Sequence, residues 1–256
     1  MTASIPASVV IITCNEERNI RDALESVKNF SDIVVVDSFS ADRTVEICRQ
    51  YTERVYQQEW KGFARQKQTA VDYAKEAWVL IIDADERVTP ELREEIIKTI
   101  HQCPENGFYI PRKNFFLNRW IRHSGWWPDY TLRLFRKGQG RLDDREVHEK
   151  VVLQGETGYL KKPLEHHTYR TLSEYIQKME KYSGLAAREI TNRKSPSPPS
   201  VLMKITFSPP FTFLKMYLLR QGIRDGMRGF LLAILYSFYT FLKYAKVWEE
   251  RTAAKK

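Results

Sequence analysis

Residues 79–86, VLIIDADE, place four apolar residues directly before a cluster of three carboxylates, Asp83, Asp85 and Glu86. An apolar run of this length, bounded by polar residues, predicts a buried strand. Like charges at the end of a buried strand repel one another unless positive groups lie among them. The stretch therefore predicts a strand end that requires a positive partner.

The phase of the strand separates the three acids. Side chains alternate along a strand, so Asp83 and Asp85 point the same way, and Glu86 is out of phase with them. Two carboxylates on one side predict oxygen ligands for a hard divalent cation, Mg²⁺ or Mn²⁺, with Glu86 outside the metal site. The alternative is a solvated acidic turn before the helix that opens at Pro90, because short acidic motifs are common.

Strand and helix signals alternate through the first hundred residues. The predicted strands are 8–13, 33–37, 55–56 and 78–82, and the predicted helices are 15–30, 41–51, 63–77 and one opening at Pro90. Strands separated by helices imply right-handed crossovers and a mostly parallel sheet flanked by helices, an α/β fold. In such a sheet ligands bind beyond the carboxyl ends of the strands.

Polar side chains follow three of these predicted strands. The groups are Thr13, Asn15 and Glu16, then Asp37, Ser38, Ser40 and Asp42, then the carboxylates of VLIIDADE. Because the carboxyl ends of parallel strands share one edge, we expect the three groups to converge on a cleft.

The rest of the chain sets the predicted domain boundaries. Residues 108–168 are aromatic and irregular, and a Thr171/Glu174 capping box opens a helix. We predict one domain over 1–192, made of the α/β half (1–105), the irregular region (106–170) and a helix (171–192), and the resemblance described below implies that the first part binds a nucleotide and the second lies on the acceptor side. A proline-rich linker (193–200) and a helical tail (201–256) follow it.

The tail combines basic and apolar residues. It carries ten Lys or Arg against three Asp or Glu, which accounts for most of the net charge of +9. Apolar bulk beside basic charge suits an anionic membrane surface better than a nucleic acid. The apolar run 230–242 is shorter than the roughly 20 residues of a spanning helix, so we predict amphipathic helices over 211–248 lying on a membrane. The alternative is a soluble hairpin packed on the catalytic domain or on a partner subunit.

Composition narrows the class of protein. With 43% hydrophobic and 29% charged residues the chain is of globular type. Three widely spaced cysteines without a CxxC pattern argue against a disulfide framework and a structural zinc site. The start of the sequence has no basic segment before its apolar run, as a signal peptide would, so we expect a cytoplasmic location.

At this point four motifs in order resemble the inverting glycosyltransferases of family 2, which have the GT-A fold. They are VVIITCNEERNI (9–20), VVVDSFSADRT (34–44), GFARQKQTA (62–70) and LIIDADE (80–86). The later WWPDYTLRLFRKG (126–138), VHEKV (147–151) and the tail are similar to a narrower subgroup, bacterial lipopolysaccharide inner-core β-glucosyltransferases. The resemblance implies transfer of glucose from UDP-glucose to a lipid-linked, heptose-containing acceptor at the cytoplasmic face of the inner membrane.

The resemblance also implies roles for single residues. Thr13, Asn15 and Glu16 would line the base and ribose pocket, and Asp37 would accept a hydrogen bond from the uracil N–H. The other implied donor-site residues are Arg65 and Lys67 at the nucleotide or its phosphates, Asp83 at the ribose or sugar, Asp85 at the metal, and Arg133 and His148 at the substrate. Of the two basic residues on the 63–77 helix, Arg65 is preferred, since Lys67 also suits a solvated surface.

The sequence does not decide which residue is the general base or which residues stack on the acceptor sugar. An inverting displacement needs a base that deprotonates the acceptor hydroxyl. The Glu-Asp pair that the family places before an arginine is missing, which leaves three candidates: Glu149, preferred, then Asp129 and Asp144. Trp126 and Trp127 are predicted to stack on sugar rings, with a core role as the alternative. His166 and His167 are predicted to be structural or to contact phosphate.

Other functions fit less well. A sugar-phosphate nucleotidyltransferase would open with a glycine-rich basic loop, whereas TCNEERN (13–19) is acidic and has no glycine. A dinucleotide oxidoreductase would need GxGxxG, which the sequence lacks. A family 2 enzyme for another lipid or polysaccharide acceptor, and a non-catalytic membrane-tethered binding module, stay open, as does the oligomeric state.

Overall fold

The computed structural model describes residues 4–143, 150–194 and 197–253. The chain divides into two compact units: unit 1 comprises residues 1–113 and 129–166, and unit 2 comprises residues 114–128 and 167–256. This division differs from the predicted boundary at 192, because the helix after residue 171 belongs with the tail. We describe each unit separately.

The elements follow one another in the order predicted for the first hundred residues. The strands are β1 (Ile5–Thr13), β2 (Phe30–Asp37), β3 (Val55–Gln57), β4 (Trp78–Asp83), β5 (Glu86–Val88), β6 (Gly107–Phe116), β7 (Arg119–Trp120), β8 (Asp129–Arg136), β9 (Gly140–Leu142), β10 (Val151–Leu153), β11 (Thr157–Tyr159) and β12 (Leu164–Tyr169). The helices are α1 (Ile20–Val27), α2 (Thr44–Arg49), α3 (Phe63–Tyr73), α4 (Pro90–Gln102), α5 (Leu172–Lys194), α6 (Pro198–Leu214) and α7 (Met227–Ala253).

The main sheet has the strand order β3-β2-β1-β4-β8-β6-β12-β5, with β7 and β11 also paired to β6. The first four strands are parallel, and β8 is antiparallel to β4. The register sets Thr13 opposite Asp37 and Ile12 opposite Asp83, so three polar strand ends meet at one edge. The predicted α/β class with a helical C-terminal extension is confirmed.

Two apolar layers cover the parallel strands because their side chains alternate between the faces. On one face Val9 and Ile11 pack with Leu24 of α1. On the other face Val10 and Ile12 pack with residues of α3. Strands buried on both faces read as continuous apolar runs, which is why the strand predictions were reliable here.

The strand β5 was not predicted. It follows the carboxylate turn directly and pairs antiparallel with β12, which sets Glu86 opposite His166. A three-residue strand has too little periodicity to be recognised from sequence, since its pairing partner lies about 80 residues away in the chain.

Two predicted helix starts are confirmed. The Thr89 hydroxyl accepts a hydrogen bond from Leu92 N at 3.1 Å ahead of α4. Ahead of α5, Glu174 N donates to Thr171 Oγ1 at 3.1 Å and Thr171 N donates to the Glu174 carboxylate at 3.3 Å, which forms the capping box.

In unit 2, α5, α6 and α7 pack around a core that includes Tyr175, Met179, Leu232 and Ala233. The segment between the two helices is shorter than the linker predicted at 193–200, because α5 continues to Lys194 and α6 begins at Pro198. Proline at the first helical position is tolerated, since it lacks an N–H that would be unpaired anyway. A π-helical turn (Lys215–Leu219) and a 3₁₀ turn (Gly222–Asp225) join α6 to α7.

The last helix is longer than its apolar run. Within the described ranges one helical segment, Met227–Thr252, has the length and the mean hydropathy (1.3) to cross a membrane. This test uses length and composition alone, and the core helix of a soluble protein also passes it. The helix is longer than the 13-residue run at 230–242, because it begins at Met227 and continues to Ala253, and the prediction that it lies on a membrane stays a prediction.

A buried ion pair in unit 1 gives a stability prediction. Asp32 accepts hydrogen bonds from Ser8 Oγ at 2.5 Å and Lys75 N at 3.0 Å, and it pairs with the Arg54 guanidinium. Burial acts to raise the pKa of Asp32, but the Ser8 and Arg54 contacts outweigh it and lower that pKa. A lowered folded-state pKa contributes stability above the unfolded pKa, about 3.9, and that stability is lost as the pH falls through the folded value.

We therefore expect Asp32→Asn to lower the free energy of unfolding at pH 7 by about 2–4 kcal/mol, because it leaves Arg54 without its counter-charge. Urea unfolding of both proteins at pH 7 and near pH 3 measures this, and the difference should shrink at the lower pH. Equal stability at pH 7 would contradict the prediction.

Candidate active site

The carboxylates at the end of β4 are paired with cations supplied by the chain itself. Asp83 Oδ1 lies 2.8 Å from Lys67 Nζ, and Asp83 Oδ2 accepts from Arg133 Nη2 at 2.6 Å. Burial acts to raise the pKa of Asp83, but Arg133 and Lys67 outweigh it and hold that pKa well below its usual range. Asp83 is therefore ionised, and its positive partners are side chains.

Glu86 lies entirely inside the protein. Its Oε2 accepts from Asp83 N at 2.9 Å, which closes the DAD turn. Its Oε1 accepts from Arg133 Nη2 at 2.7 Å and lies 3.5 Å from Arg112 Nη1. These contacts occupy both carboxylate oxygens, so the side chain holds the site together and does not face a ligand.

Asp85 has a neighbour that the sequence did not reveal. His166 Nε2 lies 3.6 Å from Asp85 Oδ1, and both side chains are about one-seventh exposed. Burial acts to lower the pKa of His166, but the charges of Asp85 and Glu86 outweigh it and raise that pKa. The pairing of β12 with β5 brings His166 here, whereas His167 stacks on Phe115 in unit 2 at 4.6 Å.

The donor set for a divalent cation is small. Within residues 4–143, 150–194 and 197–253, no group of three or more His, Cys, Asp or Glu side chains could hold a metal ion. Asp85 and His166 together offer one oxygen and one nitrogen, which fits a cation completed by substrate phosphate and water. Asp83 does not fit its predicted role as a second ligand, because Lys67 and Arg133 occupy its two oxygens.

The two basic residues of α3 differ in burial, and the role predicted for Arg65 at the nucleotide stays a prediction. Lys67 is buried against Asp83, whereas Arg65 is exposed. Residues two apart on a helix face different directions, so only one of them can reach the strand end. The surface alternative for Lys67 was wrong.

The ends of β1 and β2 form a tightly bonded pair of loops. Asn15 N donates to Ser40 Oγ at 2.8 Å, and Ala41 N donates to Asn15 Oδ1 at 2.8 Å. Glu16 N donates to Thr44 Oγ1 at 2.8 Å. These contacts hold the loop after β1 against the loop after β2, as the predicted convergence of strand ends requires.

Asp37, the last residue of β2, stabilises this pair of loops through its side chain. Its carboxylate is fully buried and accepts from Ser40 N at 2.9 Å, from Ser40 Oγ and from Gln57 Nε2 at 3.3 Å. These donors are supplied by the protein itself, and the expected contact of Asp37 with uracil stays a prediction. The Thr13 hydroxyl beside it is buried and has no hydrogen-bond partner within the described part of the chain.

Of the predicted bases, Asp129 alone lies in the described part of the chain. Asp129 Oδ2 accepts from Arg112 Nη2 at 2.6 Å, and its side chain is about one-third exposed. Asp144, His148 and Glu149 lie outside the described residues. Through Arg112, Asp129 is connected to Glu86 and so to the carboxylate cluster.

The two tryptophans lie in unit 2. Trp126 is buried and packs edge-on against Phe116 and Tyr236, so its predicted stacking on sugar rings is wrong. Trp127 is half-buried and packs edge-on against Trp120 with ring centroids 5.3 Å apart. It keeps its predicted acceptor-platform role as an expectation.

Comparison with known proteins places this site in a family. The family described as glycosyl transferase family 2 matches residues 8–168, a range that contains Lys67, Asp83, Asp85, Asp129 and His166. The lipopolysaccharide core biosynthesis glycosyltransferase LpsC of Rhizobium meliloti is 33% identical over 97% of this chain and 94% of its own length. An uncharacterized glycosyltransferase of Rickettsia bellii is 29% identical over 94% of this chain and 86% of its own.

Among solved structures, residues 1–349 of S. aureus TarS in complex with UDP align with 98% of this chain and 92% of that chain. The sequence identity is 16% and the TM-score is 0.49.

Proposed function

The chain belongs to glycosyl transferase family 2, and from that premise we propose an inverting transfer of glucose from UDP-glucose to a lipid-linked lipopolysaccharide core acceptor. One observation carries the proposal. At the carboxyl edge of the parallel strands, Asp85 and His166 lie together beside Asp83, whose charge Lys67 and Arg133 already balance.

The donor is held at this edge. Thr13, Asn15 and Glu16 would contact the nucleoside, and Lys67 and Arg133 would place positive charge near the diphosphate. Asp85 and His166 would hold Mg²⁺ or Mn²⁺, which supplies further positive charge to the departing UDP. The imidazole donor favours Mn²⁺ over Mg²⁺, which prefers oxygen ligands.

We assign the general base to Asp129. In an inverting displacement a carboxylate on the side away from the leaving group removes the proton of the acceptor hydroxyl as the new bond forms. Asp129 stands at the start of β8, four residues before Arg133, and a short ion pair with Arg112 fixes its position. The departing UDP leaves with the electron pair of the broken glycosidic bond.

The class of acceptor that we propose is inferred from the name of the relative LpsC. LpsC is named for lipopolysaccharide core biosynthesis, and its match covers nearly all of both chains. This name supports a lipopolysaccharide core acceptor, and within that class we propose a heptose hydroxyl of the inner core on its lipid carrier, as the sequence motifs implied. A family 2 enzyme acting on another lipid or polysaccharide acceptor is the second candidate.

A donor and metal panel tests the proposal. Purified protein should turn over UDP-glucose in preference to other UDP- and GDP-sugars, and only with Mn²⁺ or Mg²⁺ present, when given a truncated lipopolysaccharide core. The product should have the anomeric configuration opposite to that of the donor by NMR. Tight UDP-sugar binding without turnover, and without any effect of added metal, would instead indicate a non-catalytic binding module.

Unit 2 supports an association with the cytoplasmic face of the inner membrane. Large apolar side chains spaced three or four residues apart form an outward row on each of two helical segments. The first row is Met203, Phe207, Phe211, Leu214 and Leu218, and the second is Met227, Phe230, Ile234, Phe238 and Phe241, all between 36% and 69% exposed. Exposed rows of this size on a folded protein mark an interaction surface.

The occupant that we propose is an anionic bilayer surface on which α6 and α7 lie. The exposed Lys215, Arg220 and Arg224 adjoin the apolar rows in the chain, and this combination suits acidic headgroups above acyl chains. The opposite side of α7 faces its own unit, where Lys246 pairs with Glu180 of α5 at 2.8 Å. A helix fixed on one side in this way presents only its outer face to lipid.

Replacing Phe207 and Phe211 together with serine should reduce binding to vesicles that contain phosphatidylglycerol by at least tenfold. Each phenylalanine loses about 1.5–3 kcal/mol of apolar burial in the bilayer. Co-sedimentation measures the effect, and Ile97→Ser, at an exposed position in unit 1, is the matched control. Unchanged vesicle binding, with a dimer converted to monomer, would assign the rows to a second copy of the chain instead.

A further inference from the structure

Glu86 connects the donor side of the site to the proposed base. It is fully buried, and each of its two carboxylate oxygens has a different task. Oε2 accepts from the backbone at Asp83, while Oε1 faces the guanidinium groups of Arg133 and Arg112. Glu86 is out of phase with Asp83 and Asp85, so its side chain is directed towards these two arginines and not towards a metal.

Five ion pairs join six side chains of unit 1 into one chain of alternating charge. In order they are Lys67–Asp83 (2.8 Å), Asp83–Arg133 (2.6 Å), Arg133–Glu86 (2.7 Å), Glu86–Arg112 (3.5 Å) and Arg112–Asp129 (2.6 Å). Glu86 pairs with both Arg133 and Arg112, so it joins the pairs on the donor side to the pair that holds Asp129.

A turn-closing role alone does not account for this residue. The backbone bond from Asp83 N needs one acceptor oxygen, which a neutral glutamine supplies equally well. A carboxyl group with no solvent exposure loses its hydration, and that loss is offset only by close pairing within the protein. The second oxygen obtains that pairing from two arginines, each of which also holds an aspartate of the site.

We propose that Glu86 is a positioning residue that fixes Arg112, and through it the carboxylate of Asp129, relative to the donor. This inference rests on the proposed function, in which Asp129 is the base. Arg112 is about one-fifth exposed, so without Glu86 it can turn towards solvent and carry Asp129 out of line. A displacement of about 1 Å in a reacting group costs on the order of 10²-fold in rate.

Glu86→Gln is the test variant. Its amide oxygen replaces Oε2 for Asp83 N, and its NH₂ group replaces Oε1, where it meets two guanidinium groups with no acceptor to offer. The kcat should fall about 30- to 100-fold. The Kd for UDP and the KM for the UDP-sugar should change less than threefold, because Asp83 still holds Lys67 and Arg133.

The double variant with Asp129→Asn separates positioning from simple destabilisation. If Glu86 acts through Asp129, adding Glu86→Gln to Asp129→Asn should cause no further loss of kcat. The matched control is Asp32→Asn, another buried carboxylate paired with arginine. It should lower the unfolding free energy while leaving kcat per folded molecule unchanged.

The outcomes distinguish this inference from the proposed function. Full activity in Asp129→Asn removes the base assignment itself. The positioning role is overturned if the Asp129→Asn variant is inactive while the Glu86→Gln variant keeps the wild-type kcat. It is also overturned if the two losses of kcat multiply in the double variant. Should Glu86→Gln fail to fold, Arg112→Gln at its partly exposed position takes its place, with the same loss of kcat and the same non-additivity expected.

Discussion

Asp85→Ala should lower the turnover of UDP-glucose about a thousandfold and abolish its dependence on added Mn²⁺. The reason is that Asp85 supplies the oxygen donor of the proposed cation site, and a metal contributes several kcal/mol to the stabilisation of a departing diphosphate. The fold should survive, because the turn is closed by Glu86 and Asp83 N and does not depend on the side chain of Asp85.

The neighbouring aspartate gives the matched comparison. Asp83→Asn removes the counter-charge of Lys67 and Arg133, so activity should fall while the remaining turnover still responds to Mn²⁺. Metal titrations of both variants, with circular dichroism as the check on folding, measure the contrast. Full activity in Asp85→Ala, or loss of the metal response in Asp83→Asn alone, would place the cation on Asp83 instead.

The parallel half of the sheet was predictable from sequence for a physical reason. Strands β1, β2 and β4 are buried on both faces and read as continuous apolar runs, and each helix between the strands has its own period. Parallel register then follows from the crossovers, so Thr13, Asp37 and Asp83 had to converge on one edge.

The remainder of the site depends on pairings that no local pattern encodes. His166 reaches Asp85 because β12 pairs with β5, and Arg112 reaches Asp129 because β6 pairs with β8. Adjacent residues of an extended chain face opposite ways, and no other metal-ligating residue lies near His166 and His167 in the sequence. The sequence therefore did not predict the contact of His166 with Asp85. The polar residues inside strand β6, which begin with Arg112, were the signal available in the sequence, and it was missed.

The sequence predicted a divalent cation as the positive partner of the acidic strand end and did not predict the basic side chains that pair with Asp83 and Glu86. In the folded chain Lys67 comes from α3, Arg133 from β8 and Arg112 from β6. Two of the three acids are thereby balanced by side chains of the protein, and Asp85, beside His166, is the one that we propose for the cation.

The second large effect is expected at the proposed base. Asp129→Asn should lower kcat about 10²- to 10⁴-fold, the usual contribution of a positioned base, with little change in the affinity for UDP. The substitution keeps the shape of the side chain and an oxygen for Arg112, so packing and the ion-pair partner are disturbed as little as possible. Initial rates at saturating donor and acceptor, with UDP binding by calorimetry, measure both quantities.

The control for Asp129→Asn is Asp22→Asn, which breaks an arginine pair of the same length, 2.6 Å, at an exposed position on α1. Loss of that pair should leave kcat unchanged, since exposed ion pairs contribute little and Asp22 is not part of the site. Near wild-type kcat in Asp129→Asn, together with an inactive Glu149→Gln or Asp144→Asn, would move the base into the 144–149 segment. In that event the connection from Glu86 through Arg112 would organise the acceptor side of the site without reaching the base.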